Sequence, residues 1–315
     1  MTEIVNPYQL NDQEREVWYD NVVRPVFLDG LEVSNHPKFT LITAQCGAGK
    51  TTTALRYVHT TSPAPLRFSG DDLRCVHPQS ARIMKEDPDN YVLFTTADVS
   101  WARSKMLEEC MQKKYNIQID SILTKPEDYK MKTLLQVREY GYQAECVALG
   151  VPYFLSAVSM YDRRETQIEQ TGIGFPVTLD NHNKAYEYLG DIISKMYEGR
   201  FVDSVKIVDR NMNVFYQADH MKNETGEGIK QGLIKARDSF MQKQYLAYTD
   251  ELWQTIYKKM DVRQAPENHY QAADEQYKYF ADVCKQSGLY SPQGKPKKLD
   301  FLINLQHLKE ECAGK

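Results

Sequence analysis

The residues that most clearly point to chemistry lie in Ala44–Thr51, AQCGAGKT, which follows the pattern G-x-x-x-x-G-K-[ST] with Ala44 standing at the first glycine. Successive backbone N–H groups from Gly47 to Thr51 would cradle anionic oxygens, and the start of the next helix would add partial positive charge. Lys50 would reach the β and γ phosphates, and Thr51 would ligate magnesium. Cys46, Gly47, Ala48, Gly49, Lys50, Thr51 and Thr52 therefore predict a site for ATP and Mg2+. A glycine turn joining a strand to a helix would explain the glycines but not a lysine beside threonines. Cys46 reads as a small residue that fits the loop.

The loop does not say what receives the phosphoryl group, so the next carboxylates matter. Asp71 and Asp72 follow the short apolar run PLRFS. One of them could accept the proton of an attacking hydroxyl, or either could cap a helix, and both readings stay open. Arg74, one turn along from Asp71, would reach a diphosphate or simply pair with that carboxylate. His77 reads as a cap or core histidine.

These groups need a scaffold. Helical patterns are expected at Leu10–Val26, from the glycine loop to about His59, at Ser100–Lys113, Tyr129–Tyr140 and Tyr153–Gln170. Strands are expected at Phe39–Thr43, Pro65–Ser69, Asn116–Leu123 and Glu145–Gly150. Strands separated by helices of ten or more residues imply parallel pairing through crossovers, hence an α/β sheet with ligands at the carboxyl ends of its strands. SVKIVDRNMNVFYQ predicts a closing hairpin turning at Asn211–Asn213. Beyond residue 217 the sequence is helical, polar and rich in tyrosine, which predicts a core at 1–217 and a helical extension at 218–315. In the extension Tyr245, Tyr248, Leu252, Ile256 and Met260 are expected to form one apolar face packed against the core, and a last helix should follow SGLYSPQGKPKK.

The bulk numbers narrow the class. The 315 residues carry 39 Lys+Arg against 43 Asp+Glu, a net charge of -4, which gives no electrostatic reason to expect nucleic acid as the partner. The longest charge-free run, Cys146–Tyr161, is interrupted by Gly150 and Pro152, so no membrane span is expected. The amino terminus has no secretory pattern, and six cysteines show neither CxxC pairing nor zinc spacing. A cytoplasmic location and reduced thiols are the expectation.

The ordered series of motifs resembles the zeta toxins of epsilon/zeta toxin–antitoxin systems, P-loop kinases of UDP-N-acetylglucosamine. AQCGAGKTT is followed by DDLRCVHP at 71–78, in the form D-x-[FL]-[RK]-x-x-H-P, then by Gly141–Tyr142, Val151–Pro152 and an arginine one helix later. The likeness covers about residues 10–217. It implies a P-loop kinase-like parallel sheet flanked by helices, with Asp71 as catalytic base and Lys50 and Thr51 as phosphate and magnesium residues. It further implies Thr133 as a substrate contact and Arg163 as the arginine that neutralises the transferring phosphate. An arginine on a helix after a strand can meet a phosphate bidentately, although Arg163 and Arg164 also read as a solvated helical turn.

The resemblance also implies depletion of a cell-wall precursor and a small helical epsilon-type antitoxin covering the nucleotide site. Four positions depart from the family pattern. Asp120-Ser121-Ile122 stands for the family's E-G-T, keeping an acid on the substrate side. Ser104 replaces a helix carboxylate, with Glu108 a turn away, and Phe175 falls where a second phosphate-binding arginine is expected. The acceptor side is therefore expected to differ, with another hydroxyl such as the 4′-OH in place of the family's 3′-OH. Two rivals stand beside this reading: a kinase of another small metabolite or nucleotide, and a nucleotide-binding interaction module with decayed catalysis.

Overall fold

A computed structural model of the chain describes residues 6–296 except 126–128, 173, 176, 178 and 221–224. The last helix expected beyond 296 lies outside the described residues.

In chain order the helices are α1 (Asp12–Trp18), α2 (Arg24–Phe27), α3 (Lys50–Val58), α4 (Gly70–Cys75), α5 (Ser80–Glu86) and α6 (Tyr91–Lys113). They continue as α7 (Tyr129–Glu139), α8 (Tyr153–Thr171), α9 (Leu179–Glu198), α10 (Gly226–Asp238), α11 (Lys243–Val262) and α12 (Glu267–Ser287). The strands are β1 (Lys38–Thr43), β2 (Leu66–Phe68), β3 (Ile117–Ser121), β4 (Gln143–Leu149), β5 (Ser204–Val208) and β6 (Val214–Asp219). They form one six-stranded sheet in the order β2-β3-β1-β4-β5-β6. All neighbouring pairs are parallel except the β5–β6 hairpin. This is the expected P-loop kinase-like α/β architecture.

Central β1 is buried at every position but Lys38, and β4 is buried along Cys146–Leu149. Such continuous apolar strands fit only where helices cover both faces of a parallel sheet. The register sets Ile42 of β1 opposite Asp120 of β3, which brings the carboxyl ends of both strands to one edge.

The chain divides into two compact units, residues 1–156 with 175–240, and residues 157–174 with 241–315. This partition differs from the expected 1–217 and 218–315. In the first unit α10 lies directly on β6: a Cβ at Gly232 would meet the Tyr216 Cβ at 2.4 Å, so the bare glycine permits the approach. Ile229, Leu233 and Ala236 on that helix are buried in the sheet's core.

Helix α6 begins nine residues before the expected start at Ser100. Its first turns, YVLFTTADV, are rich in strand-forming residues, but Tyr91, Phe94, Thr95, Asp98, Val99 and Ala102 recur at helical spacing and are all buried. The leading helix is capped as expected by Asn11, with Glu14 completing a capping box. A π-helical turn at Tyr19–Val23 leads it on to Phe27, past Pro25.

The second unit combines the later turns of α8 with α11 and α12. The buried face of α11 is Leu246, Thr249, Asp250, Trp253, Ile256, Tyr257 and Met260, whereas Tyr248 is 48% exposed. Of the expected stripe, Ile256 and Met260 are buried, whereas Tyr245 and Leu252 are only partly buried and Tyr248 faces outward, because polar Thr249 and Asp250 sit in the seam. Asp250 accepts hydrogen bonds from the hydroxyls of Tyr277 and Tyr290 and from the backbone N–H of Gln293. Trp253 packs within its own unit on Tyr161, Tyr257 and Tyr277.

Candidate functional site

The phosphate loop forms where β1 hands over to α3. Gly47 has φ 71° and Gly49, the residue before α3, has φ 95°; both lie in the left-handed region that glycine enters without steric cost. Ala44 is fully buried at the strand end, so the pattern's first position is filled here by packing. Lys50 Nζ folds back and donates to the carbonyls of Ala44 (3.0 Å) and Gln45 (2.9 Å). Thr52 is exposed one residue beyond Thr51, and Cys46 is a half-buried free thiol.

Beneath the loop runs a buried polar chain that the sequence did not announce. Gln45 Nε2 donates to the Val151 carbonyl (2.8 Å) and to Ser156 Oγ (3.1 Å). Ser156 Oγ is 2.9 Å from His182 Nε2, and His182 Nδ1 is 3.1 Å from Asn183 Oδ1. A neutral imidazole protonated at Nδ1 satisfies this chain, with Ser156 donating to Nε2. Burial pushes the His182 pKa down and the nearby Lys50 charge adds to this, against the hydrogen bond that Nδ1 donates to Asn183 Oδ1.

Asp120, at the end of β3, accepts from Thr51 Oγ1 at 3.2 Å. Burial raises its carboxyl pKa, while Lys50, Arg67 and the Thr51 hydroxyl pull it back down. Its Oδ1 is buried with no hydrogen-bond partner among the described residues. A hydroxyl beside a carboxylate with an unused oxygen fits a magnesium ion, which takes few protein ligands and completes its shell with phosphate and water. Asp120 is expected on the substrate side; the structure sets its carboxylate against the hydroxyl of Thr51, the residue expected to ligate magnesium.

The acid pair after β2 is resolved into two duties. Ser69 is the cap of α4, and Asp72 closes the capping box by accepting from the Ser69 backbone N–H (2.8 Å) and hydroxyl (2.9 Å). Asp71 has no capping duty. Its side chain is 51% exposed and pairs with Arg74 Nη1 at 3.1 Å.

The far end of α4 is held by three bonds. Tyr91 donates to the Arg74 carbonyl (2.9 Å), Trp18 Nε1 donates to the Val76 carbonyl (2.8 Å), and His77 Nε2 lies 3.1 Å from Asp98 Oδ2. His77 is thus a buried core residue, as expected, whose Nδ1 also accepts from the Gln79 N–H. Asp98 further receives Arg15 Nε (2.8 Å) and the Leu10 N–H (3.2 Å). Burial would raise the Asp98 pKa, but these hydrogen bonds hold it below the usual carboxylate range.

On the expected acceptor side, Thr133 is nearly buried and lines a groove of about 440 Å3 between α6 and α7 with Ser104, Leu107, Glu108, Met111 and Gln136. The Ser104 hydroxyl is turned back to the Ser100 carbonyl. Phe175 packs against the buried cluster of Tyr8, Ile83, Tyr91 and Phe94, its ring 6.0 Å from that of Tyr91. Arg163 is exposed on the part of α8 that belongs to the second unit. Its neighbour Arg164 reaches His269 Nε2 at 2.9 Å within that unit.

Sequence reasoning missed Arg210 altogether. It follows β5 and donates from Nε to the Ala48 carbonyl (3.1 Å) and from Nη2 to the Gly47 carbonyl (2.6 Å). The available signal was an arginine at the carboxyl end of a parallel strand, the edge where ligands bind.

Known proteins share this fold. The toxin PezT of Streptococcus pneumoniae is 23% identical over 224 residues, covering 69% of this chain and 85% of that protein. A solved structure of the PezAT chromosomal toxin–antitoxin system of the same species superposes with a TM-score of 0.69 at 20% identity, covering 79% of this chain and 98% of that one. The sequence model of the family described as Zeta toxin matches residues 28–221, well over half of the chain. The chain therefore belongs to the zeta toxin family, a family of kinases.

Proposed function

We propose that the protein is a toxin kinase that transfers the γ-phosphoryl group of ATP to a hexosamine hydroxyl of UDP-N-acetylglucosamine or a related UDP-amino sugar. The observation that carries this reading is the division of labour at the sheet's carboxyl edge. A glycine loop with Lys50 and a Thr51–Asp120 pair stands at the ends of β1 and β3, and an uncapped, half-exposed Asp71 stands at the end of β2.

In this reading the loop N–H groups and Lys50 fix the phosphates, and Lys50 leaves its two carbonyl partners to do so. Asp71 accepts or orients the proton of the acceptor hydroxyl, and Arg74, 3.1 Å away, holds that carboxylate in place. Thr51 and Asp120 would hold the magnesium ion, which supplies charge neutralisation between the phosphates. Thr133 lines the acceptor groove. A small antitoxin protein is the proposed partner, and loss of peptidoglycan precursor the proposed outcome in the cell.

The acceptor end supports a related sugar nucleotide or a different hydroxyl from the family's 3′-OH. Phe175 offers packing where an arginine would offer charge, and Ser104 offers no carboxylate. ATP turnover against a panel of UDP-sugars, with the product located by phosphorus NMR, tests the proposal. Turnover should fall about a thousandfold in Lys50→Ala and in Asp71→Ala. ATP binding without turnover on any UDP-sugar, or unmodified sugar hydroxyls, would overturn it.

A further inference from the structure

The β5–β6 hairpin is built more firmly than a connection between strands requires. Asp209, nearly buried, accepts from the backbone N–H groups of Asn211 (2.8 Å) and Asn213 (2.9 Å) through Oδ1, and from Asn213 Nδ2 (2.8 Å) through Oδ2. Met212 completes the turn at φ 69°. Arg56 of α3 donates to the Arg210 carbonyl (3.0 Å), which ties the turn to the helix that follows the phosphate loop. The rigid turn presents one side chain, Arg210, to the outer side of that loop.

We infer that Arg210 is a positioning residue for the phosphate loop, acting on the nucleotide's phosphate chain through the loop's peptide groups; the inference rests on the nucleotide-binding reading above. Its Nε and Nη2 meet two successive carbonyls, Ala48 and Gly47. In a planar trans peptide the N–H points opposite to the C=O. A charged donor on the Gly47 carbonyl therefore polarises the Ala48 N–H, and one on the Ala48 carbonyl polarises the Gly49 N–H, both of them groups of the anion cradle. The same fork also braces the left-handed Gly49, whose Cα lies under the Arg210 stem: an added Cβ would stand 3.7 Å from Cγ and Nε. Lysine could supply the charge but not two parallel donors in a fixed plane.

The experiment measures equilibrium binding of ATP and of tripolyphosphate, the phosphate chain alone, to the full chain and to its Arg210→Ala, Arg210→Lys and Lys50→Ala variants. Steady-state KM and kcat are followed alongside, and folding by circular dichroism. Arg210→Ala should weaken ATP and tripolyphosphate alike, by about tenfold, the scale of a lost charged hydrogen bond. KM for ATP should rise by more than kcat falls, and Arg210→Lys should recover only a minor part of the loss. Wild-type binding of tripolyphosphate by a folded Arg210→Ala, or by Arg210→Lys should the alanine variant not fold, overturns the inference. A loss for ATP alone, with tripolyphosphate unchanged, also overturns it and moves Arg210 to the nucleoside. Wild-type protein that binds neither ligand would instead bring down the kinase reading, and this inference with it.

Discussion

The phosphate loop and the α6/α7 groove stand on the same sheet and are made of different material. The loop is a backbone device: two left-handed glycines, carbonyls engaged by Lys50 and Arg210, and a buried Gln45–Ser156–His182 chain as its floor. The groove is a side-chain device, lined by Ser104, Glu108, Thr133 and Gln136 on the surfaces of two helices. A site made of backbone tolerates few substitutions because each of its residues serves a conformation. A site made of side chains on helices can exchange its chemistry while the helices keep their packing.

That contrast can be broken in three places. The largest effect is expected at Asp98, which belongs to neither site but holds the far end of the Asp71 helix through His77. Asp98→Ala leaves Arg15 and His77 without their buried partner and should cost about 3 kcal/mol of unfolding free energy, read by urea denaturation. A loss below about 1 kcal/mol would mean that the tie to α1 is dispensable. A smaller effect is expected in the groove. Thr133→Val should raise KM for the sugar nucleotide severalfold, about 1 kcal/mol, and leave KM for ATP unchanged. A change in ATP affinity would erase the distinction between the two regions.

The smallest effect concerns the loop's floor. His182 is buried and its pKa lies below the unfolded value near 6.5, so the folded chain binds fewer protons there than the unfolded one. Its contribution is complete above pH 6.5 and is lost as pH falls from there toward the lowered folded value. Melting temperature should therefore drop on acidification below pH 6.5, and His182→Asn should flatten that slope. An equal slope in the variant would assign the acid sensitivity elsewhere, with Asp98 the next candidate at lower pH.

The loop was legible in the sequence because its positions are dictated by backbone geometry: Gly47 and Gly49 by φ, and Lys50 and Thr51 by the start of α3. The parallel order of the strands followed from alternation with helices. Asp71 and Asp72 could not be told apart by type, since both suit a cap, and only the Ser69–Asp72 box separates them. Arg210 and His182 escaped because their partners lie 162 and 26 residues away, at Ala48 and Ser156, and no local pattern encodes such a distance. The face of α11 was legible only at Ile256 and Met260, for a related reason. Asp250 is buried, and a carboxylate in a seam is visible in sequence only once Tyr277, Tyr290 and Gln293 are known to meet it.

The second unit is assembled from chain that is not contiguous, and this limits how the molecule can be taken apart. Tyr161, contributed by α8, sets its ring at a tilt against Trp253 and donates to the Ala272 carbonyl, and Glu165 holds Arg263 through two bonds at 2.6 and 2.8 Å. A stop codon at 241 would remove the later helices yet keep the α8 turns that they cover, stranding an aromatic ring and a carboxylate. Ablating this region cleanly requires excising two separate stretches, and a single truncation would confound loss of a function with a damaged surface.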